Sequence, residues 1–107
     1  MAAAGADIVV AHVGLTTSGS IGASTALTLQ EATRVVQSIA SAALAVNPDV
    51  LVLCHGGPIA APADAQYVLA NTRGLVHGFY GASSMERLPV EVAIIDCVRA
   101  FKEIKLI

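Results

Sequence analysis

Three times along this chain a short apolar run leads into a glycine-rich loop that carries a histidine, and a helical pattern follows. The segments are Asp7-Ile-Val-Val-Ala-His12-Val-Gly14, Asp49-Val-Leu-Val-Leu-Cys54-His55-Gly56-Gly57-Pro58 and Leu75-Val-His77-Gly78-Phe-Tyr80-Gly81-Ala-Ser83-Ser84. Strand, loop and helix repeated in series is how parallel sheets are wound, and such folds bind ligands where their strands end. The repetition is one of architecture rather than of sequence.

The first strand is expected over Ile8–Val13, a near-continuous apolar run of the kind seen when both faces of a parallel sheet are covered. A long connection rich in Gly, Ser and Thr runs from Gly14 to Ala26. Thr28-Leu-Gln-Glu31 reads as a capping box opening a helix. Ala32, Val35, Val36, Ile39, Ala43 and Val46 keep the helical period on one stripe, and Asn47-Pro48 stops it. A second strand follows at Val50–Cys54, then a turn at Gly56-Gly57-Pro58 and a short helix from Pro62 to about Ala70. Asn71 and Gly74 mark its exit. The third strand is expected over Leu75–Tyr80. A last helix from Ser84 or Pro89 puts Val90, Ala93, Ile94, Cys97, Val98, Phe101 and Ile104 on one stripe. The fold class is α/β, with three consecutive βα units and parallel strands in one domain.

Composition shows what such a unit lacks. Of the 107 residues, 55% are hydrophobic and 13% charged, with a mean hydropathy of +0.71. Globular domains average about 45–50% apolar and about 25% charged residues. A membrane span needs ~20 consecutive apolar residues, and Thr, Ser, Gly, Asn and His interrupt every candidate run. The excess therefore reads as apolar surface that needs a partner: a second copy of the chain, or a missing N-terminal portion of a larger fold. Two bare sheet edges would be part of that surface. A net charge of −2 gives no basic stripe for nucleic acid. Met1-Ala-Ala-Ala-Gly lacks the basic start of a signal peptide. Cys54 and Cys97 have no metal or redox spacing, which suits reduced thiols in a cytoplasmic protein.

Three long strings, taken in order, resemble the phosphoenolpyruvate hydrolase-like family, also called the TIM-barrel signal transduction family. They are Ala4-Gly-Ala-Asp7-Ile-Val-Val-Ala-His12-Val-Gly14-Leu-Thr16-Thr17-Ser-Gly19-Ser-Ile-Gly22-Ala, Val52-Leu-Cys54-His55-Gly56-Gly57-Pro58-Ile, and His77-Gly78-Phe-Tyr80-Gly81-Ala-Ser83-Ser84-Met85-Glu86-Arg87-Leu-Pro89. The resemblance covers almost the whole chain and implies the C-terminal three βα units of a (β/α)₈ barrel, with the first five units absent. It implies chemistry on a small anionic substrate, a phosphorylated or carboxylated keto or enol acid. A divalent metal such as Mg²⁺ would belong to the intact barrel, and no ligand set for it stands in this sequence.

Candidate site residues follow from where barrels place their chemistry, at the C-terminal ends of strands and in the loops beyond them. His12 and His55 stand at two such ends and can transfer a proton or donate to a carboxylate or enolate oxygen. The alternative for each is a hydrogen-bonded structural histidine. His77, further back on its strand, is expected in the core. Cys54 should face away from His55, which removes a Cys–His nucleophilic pair. Gly81, Ala82, Ser83 and Ser84 supply backbone N–H groups and hydroxyls for a phosphate or carboxylate, and Gly56 and Gly57 can complete that anion site. The plain alternatives are a capping box at Ser83–Glu86 and positive φ at the two glycines. Gly14, Thr16 and Thr17 lie in the first loop, which either orders over a ligand or is a solvated connection. Glu86 is the third catalytic candidate, with a surface ion pair to Arg87 as its alternative. Phe79 and Tyr80 are expected to pack as wall residues. A non-catalytic interaction or regulatory module, or a truncated chain without activity of its own, stands beside the enzyme reading.

Overall fold

The computed structural model describes residues 1–24 and 27–107. After a single 3₁₀ turn at Ala2–Ala4 come β1 (Ile8–His12), α1 (Leu29–Val46), β2 (Leu51–His55), α2 (Pro62–Asn71), β3 (Gly78–Phe79) and α3 (Arg87–Lys102). The strands form one parallel sheet in the order β1-β2-β3. Three βα units are therefore present, as the strand–loop–helix pattern requires. Thr25 and Ala26, the end of the long Gly14–Ala26 connection, lie outside the described residues.

One face of the sheet carries the core. Ala11, Val52 and Cys54 are fully buried there beneath Val36, Ala40 and Ala43 of α1 and Ala65 and Val68 of α2. Alanines at the contact let α1 lie close to the sheet. Its buried line runs through Ala32, Thr33, Val36, Ala40 and Ala43. Val35 and Val46, expected on that stripe, are exposed, because it is centred closer to Val36 and Ala40. The capping box is formed: the Glu31 amide donates to Thr28 Oγ1 at 3.2 Å, and the Thr28 amide to Glu31 Oε2 at 2.8 Å.

The opposite face is bare. Ile8 and Val10 of β1 are 52% and 39% exposed, and Leu51 of β2 is exposed beside them. The apolar run of β1 is thus covered on one side only, since both crossover helices pack on the same side of the sheet. Alongside β1, Met1, Val9, Val10, Ile39 and Val46 line an apolar groove of 440 Å³.

Two other expectations change. β3 is a two-residue strand, although the His77 and Tyr80 amides extend its bonding by donating to the Val52 and Cys54 carbonyls. Gly78 supplies no side chain for packing, and Thr72–Gly74, with left-handed backbone at Arg73 and Gly74, delays entry into the sheet. Helix α3 buries none of its residues, so its apolar stripe is exposed. The chain is drawn out to 69 × 24 × 22 Å, with a radius of gyration of 17.6 Å, against ~13 Å for a compact domain of this length.

Thr28→Ala removes the oxygen that caps α1 and should cost about 1 kcal/mol, read as a lower urea midpoint. An unchanged midpoint would show that the cap does not hold the helix.

Candidate functional site

The parallel register places His12 directly beside His55. Alternation along each strand turns Ala11 and Cys54 under the helices, so both histidines project on the bare face. Their ring centroids are 4.8 Å apart in an edge arrangement. Tyr80 follows β3, and its ring meets His55 edge-on at 4.9 Å. Three polar rings therefore form a row across the C-terminal ends of three parallel strands. Tyr80 had been expected to pack in a wall, yet it is 52% exposed. The alternation that turns Cys54 inward with Phe79 turns Tyr80 outward with His55, so strand register was the signal that could have found it.

His77 is not a core residue. It is exposed, its Nδ1 accepts the Val52 amide at 2.9 Å, and its own amide returns a bond to Val52. It substitutes for a missing ladder contact where β3 is short. Cys54 faces the core as its position in β2 requires, and burial pushes its thiol pKa up. A protonated, buried thiol is no nucleophile.

The first two loops are tied to each other. The Gly57 amide donates to the Gly14 carbonyl at 2.8 Å, and the Thr17 amide and hydroxyl both reach the Gly57 carbonyl. Thr16 accepts from the Ala23 amide. Gly56 and Gly57 have φ of +83° and +57°, and a Cβ on Gly56 would collide with the Gly14 carbonyl. Both glycines are therefore required where the β2 turn crosses the β1 turn. Gly14, Thr17, Gly56 and Gly57 gather beside His12, with the Gly57 N–H already used.

After Tyr80 the chain makes a tight turn. The Ala82 carbonyl accepts the amides of Met85 and Glu86, and the Ser83 carbonyl those of Arg87 and Leu88. This leaves the amides of Ala82, Ser83 and Ser84 without a partner among the described residues. No side-chain cap forms at Ser83–Glu86, since Ser83 serves the helix through its carbonyl and α3 starts at Arg87. Glu86 is exposed, and its carboxylate makes no hydrogen bond or ion pair among the described residues.

The partner of Arg87 is Glu91, at 2.8 Å and one helical turn on, with both side chains about one-fifth exposed. Sequence reading missed this pair, although i,i+4 spacing of opposite charges was available as a signal. Arg87 also donates to the Ser18 carbonyl at 2.8 Å, and the Ser20 amide donates to Glu91 at 3.0 Å. Gly19 sits between them, where a Cβ would strike Arg87. The long first loop is thereby stapled to the start of α3. The bond from Arg87, then that from Ser20, holds the Glu91 carboxyl below its ordinary value of 4.5.

Among the described residues no three His, Cys, Asp or Glu side chains come together to hold a metal ion. Mg²⁺ takes hard oxygen ligands in an octahedron, and a pair of imidazoles does not fit it. No helix among the described residues is long and apolar enough to cross a membrane.

Comparison with known proteins assigns the architecture to a family. The model of phosphoenolpyruvate hydrolase-like proteins matches residues 1–104. The chain belongs to that family. Two tomato (Solanum lycopersicum) proteins, the ToMV susceptible protein tm-1(GCR26) and the ToMV resistance protein Tm-1(GCR237), are 64% and 63% identical to it over 106 residues. A putative transcriptional regulatory protein, y4pA, of Sinorhizobium fredii is 31% identical over 103 residues. These matches cover 99%, 99% and 96% of this chain but only 14%, 14% and 17% of the relatives.

The staple carries its own test. A carboxyl whose folded pKa is lowered stabilises the folded state above its unfolded value and loses that contribution as pH falls through the folded value. The Ser20 amide resonance should therefore titrate with a midpoint below 4.5, and Glu91→Gln should remove that titration. A Ser20 resonance that ignores both would show that Glu91 does not hold the loop.

Proposed function

We propose that this chain forms three consecutive βα units from the C-terminal part of a (β/α)₈ barrel, and that the barrel acts on a small phosphorylated or carboxylated keto or enol acid. The observation that carries this reading is the row His12–His55–Tyr80 at the C-terminal ends of the strands, on the face that no helix covers. In a barrel that face turns inward, and the strand ends carry the chemistry. Sequential strand order with both crossover helices on one side supports barrel winding. The bare β1 edge and its apolar groove are then where a preceding βα unit packs.

In this reading the amides of Ala82, Ser83 and Ser84 hold the anionic group, and His12 and His55 polarise the neighbouring oxygens or move a proton. Gly56, Gly57, Gly14 and Thr17 fix the loops around the histidines rather than gripping the anion. Glu86 takes no part. Two unpaired thiols, one of them exposed, support a place in the reducing cytoplasm.

A second reading has its own observation. Helix α3 exposes Val90, Val92, Ile94, Ile95, Val98 and Phe101 around most of its circumference, and apolar surface on that scale suits association. The names of the relatives, two concerned with a virus and one with transcription, fit a regulatory module that binds a partner without turning over a substrate.

Titration with phosphoenolpyruvate, followed by NMR, separates the two. The catalytic reading expects shifts at the Ala82–Ser84 amides and at the His12 and His55 rings together. It also expects His12→Ala and His55→Ala each to weaken binding about fivefold or more, the loss of one charge-assisted hydrogen bond. Absence of shifts at these positions, or shifts confined to α3, would reject it in favour of the partner-binding module.

A further inference from the structure

The two site histidines are held in opposite tautomers. His12 Nδ1 accepts the Gly14 amide at 3.1 Å, so in the neutral ring the proton sits on Nε2. His55 Nδ1 lies 2.6 Å from the Tyr80 carbonyl. A carbonyl can only accept, so here Nδ1 carries the proton and Nε2 keeps its lone pair. Neither Nε2 has a partner among the described residues. The bare face thus presents one N–H donor, on His12, beside one nitrogen acceptor, on His55, on rings 4.8 Å apart.

Such a pair distinguishes ligands by whether one oxygen carries a hydrogen. A 2-keto acid offers only acceptors and satisfies His12 alone. A 2-hydroxy acid, or the enol form of a keto acid, adds an O–H that His55 Nε2 can accept while His12 donates to the adjoining oxygen. We infer that the His12–His55 pair selects the hydroxy or enol form of its acid over the keto form, with the Gly14 amide and the Tyr80 carbonyl as the positioning groups that set this polarity. The inference rests on the proposed function, because it assumes that a small acid binds at this row.

Three histidines make the test tractable. With selectively ¹⁵N-labelled histidine, long-range ¹H–¹⁵N spectra recorded where the rings are neutral should show Nε2–H for His12 and for His77, whose Nδ1 also accepts an amide, and Nδ1–H for His55. Lactate and pyruvate share a carbon skeleton and differ at the oxygen in question, so lactate should bind about fivefold more tightly, the worth of one hydrogen bond. His55→Asn keeps a donor for the Tyr80 carbonyl but has no acceptor in place of Nε2, and it should abolish the preference. The same tautomer on His12 and His55, or pyruvate binding as tightly as lactate, overturns the inference and leaves the proposed function standing if either acid binds. Failure of both acids to bind while phosphoenolpyruvate does bind overturns the selectivity and leaves the proposed function standing, and failure of all three overturns both, whatever the tautomers.

Discussion

Everything in this molecule depends on a parallel sheet covered from one side. In-register pairing of β1 with β2 fixes which residues point towards α1 and α2 and which point away. The covered set, Ala11, Val52 and Cys54 with their helix partners, supplies the hydrophobic burial that holds the units together. The uncovered set begins with Ile8, Val10, Leu51 and Leu53 and ends with His12 and His55. The same alternation therefore makes the core and delivers two imidazoles, with Tyr80 beside them, to the strand ends. Shifting one strand by a single residue would turn Cys54 out and His55 in.

Around that row the connections are fixed by backbone geometry. Gly56 and Gly57 let the turn after β2 pass against the Gly14 carbonyl, and Thr17 closes the contact from the other side. Arg87 and Glu91 then attach the far part of the first loop to α3. The loops after all three strands are linked through these contacts, although they lie far apart in sequence. The linkage accounts for the glycines at the crossing and for the Thr17 hydroxyl, while Thr16, Ser18 and Ser20 take part through their backbone groups.

The elements that were legible in the sequence were those set by local chemistry. The Thr28–Glu31 box, Asn47 as a stop, Pro62 at a helix start and the first two apolar runs before glycine all act over a few residues, and each stands close to where it was expected. The roles that failed depend on contacts across the fold. His77 lies at the edge of a strand shortened by Gly78, so it bonds to Val52 instead of entering the core. The stripe of α3 has the right period, but no neighbour among the described residues covers it. Period reports which residues share a face, while burial requires something on the other side. Likewise His12 and His55 could be picked out by their places at strand ends, whereas Tyr80 needed the register of β3, and the pairing of Arg87 with Glu91 rather than Glu86 needed the helix to start late.

The central claim is that the bare face of this sheet is the inner wall of a larger barrel. Thiol labelling tests it most directly, with Ile8→Cys introduced on a Cys97→Ser background in this chain, and a cysteine at the matching position of the tomato relative. Ile8 is half exposed here, so rapid labelling is expected in this chain and protection by a factor of about 100 or more in the longer protein, as for a residue reached only by unfolding of its barrel. Equal, rapid labelling in both would show that the face stays open to solvent in the complete protein, and the barrel account would be wrong.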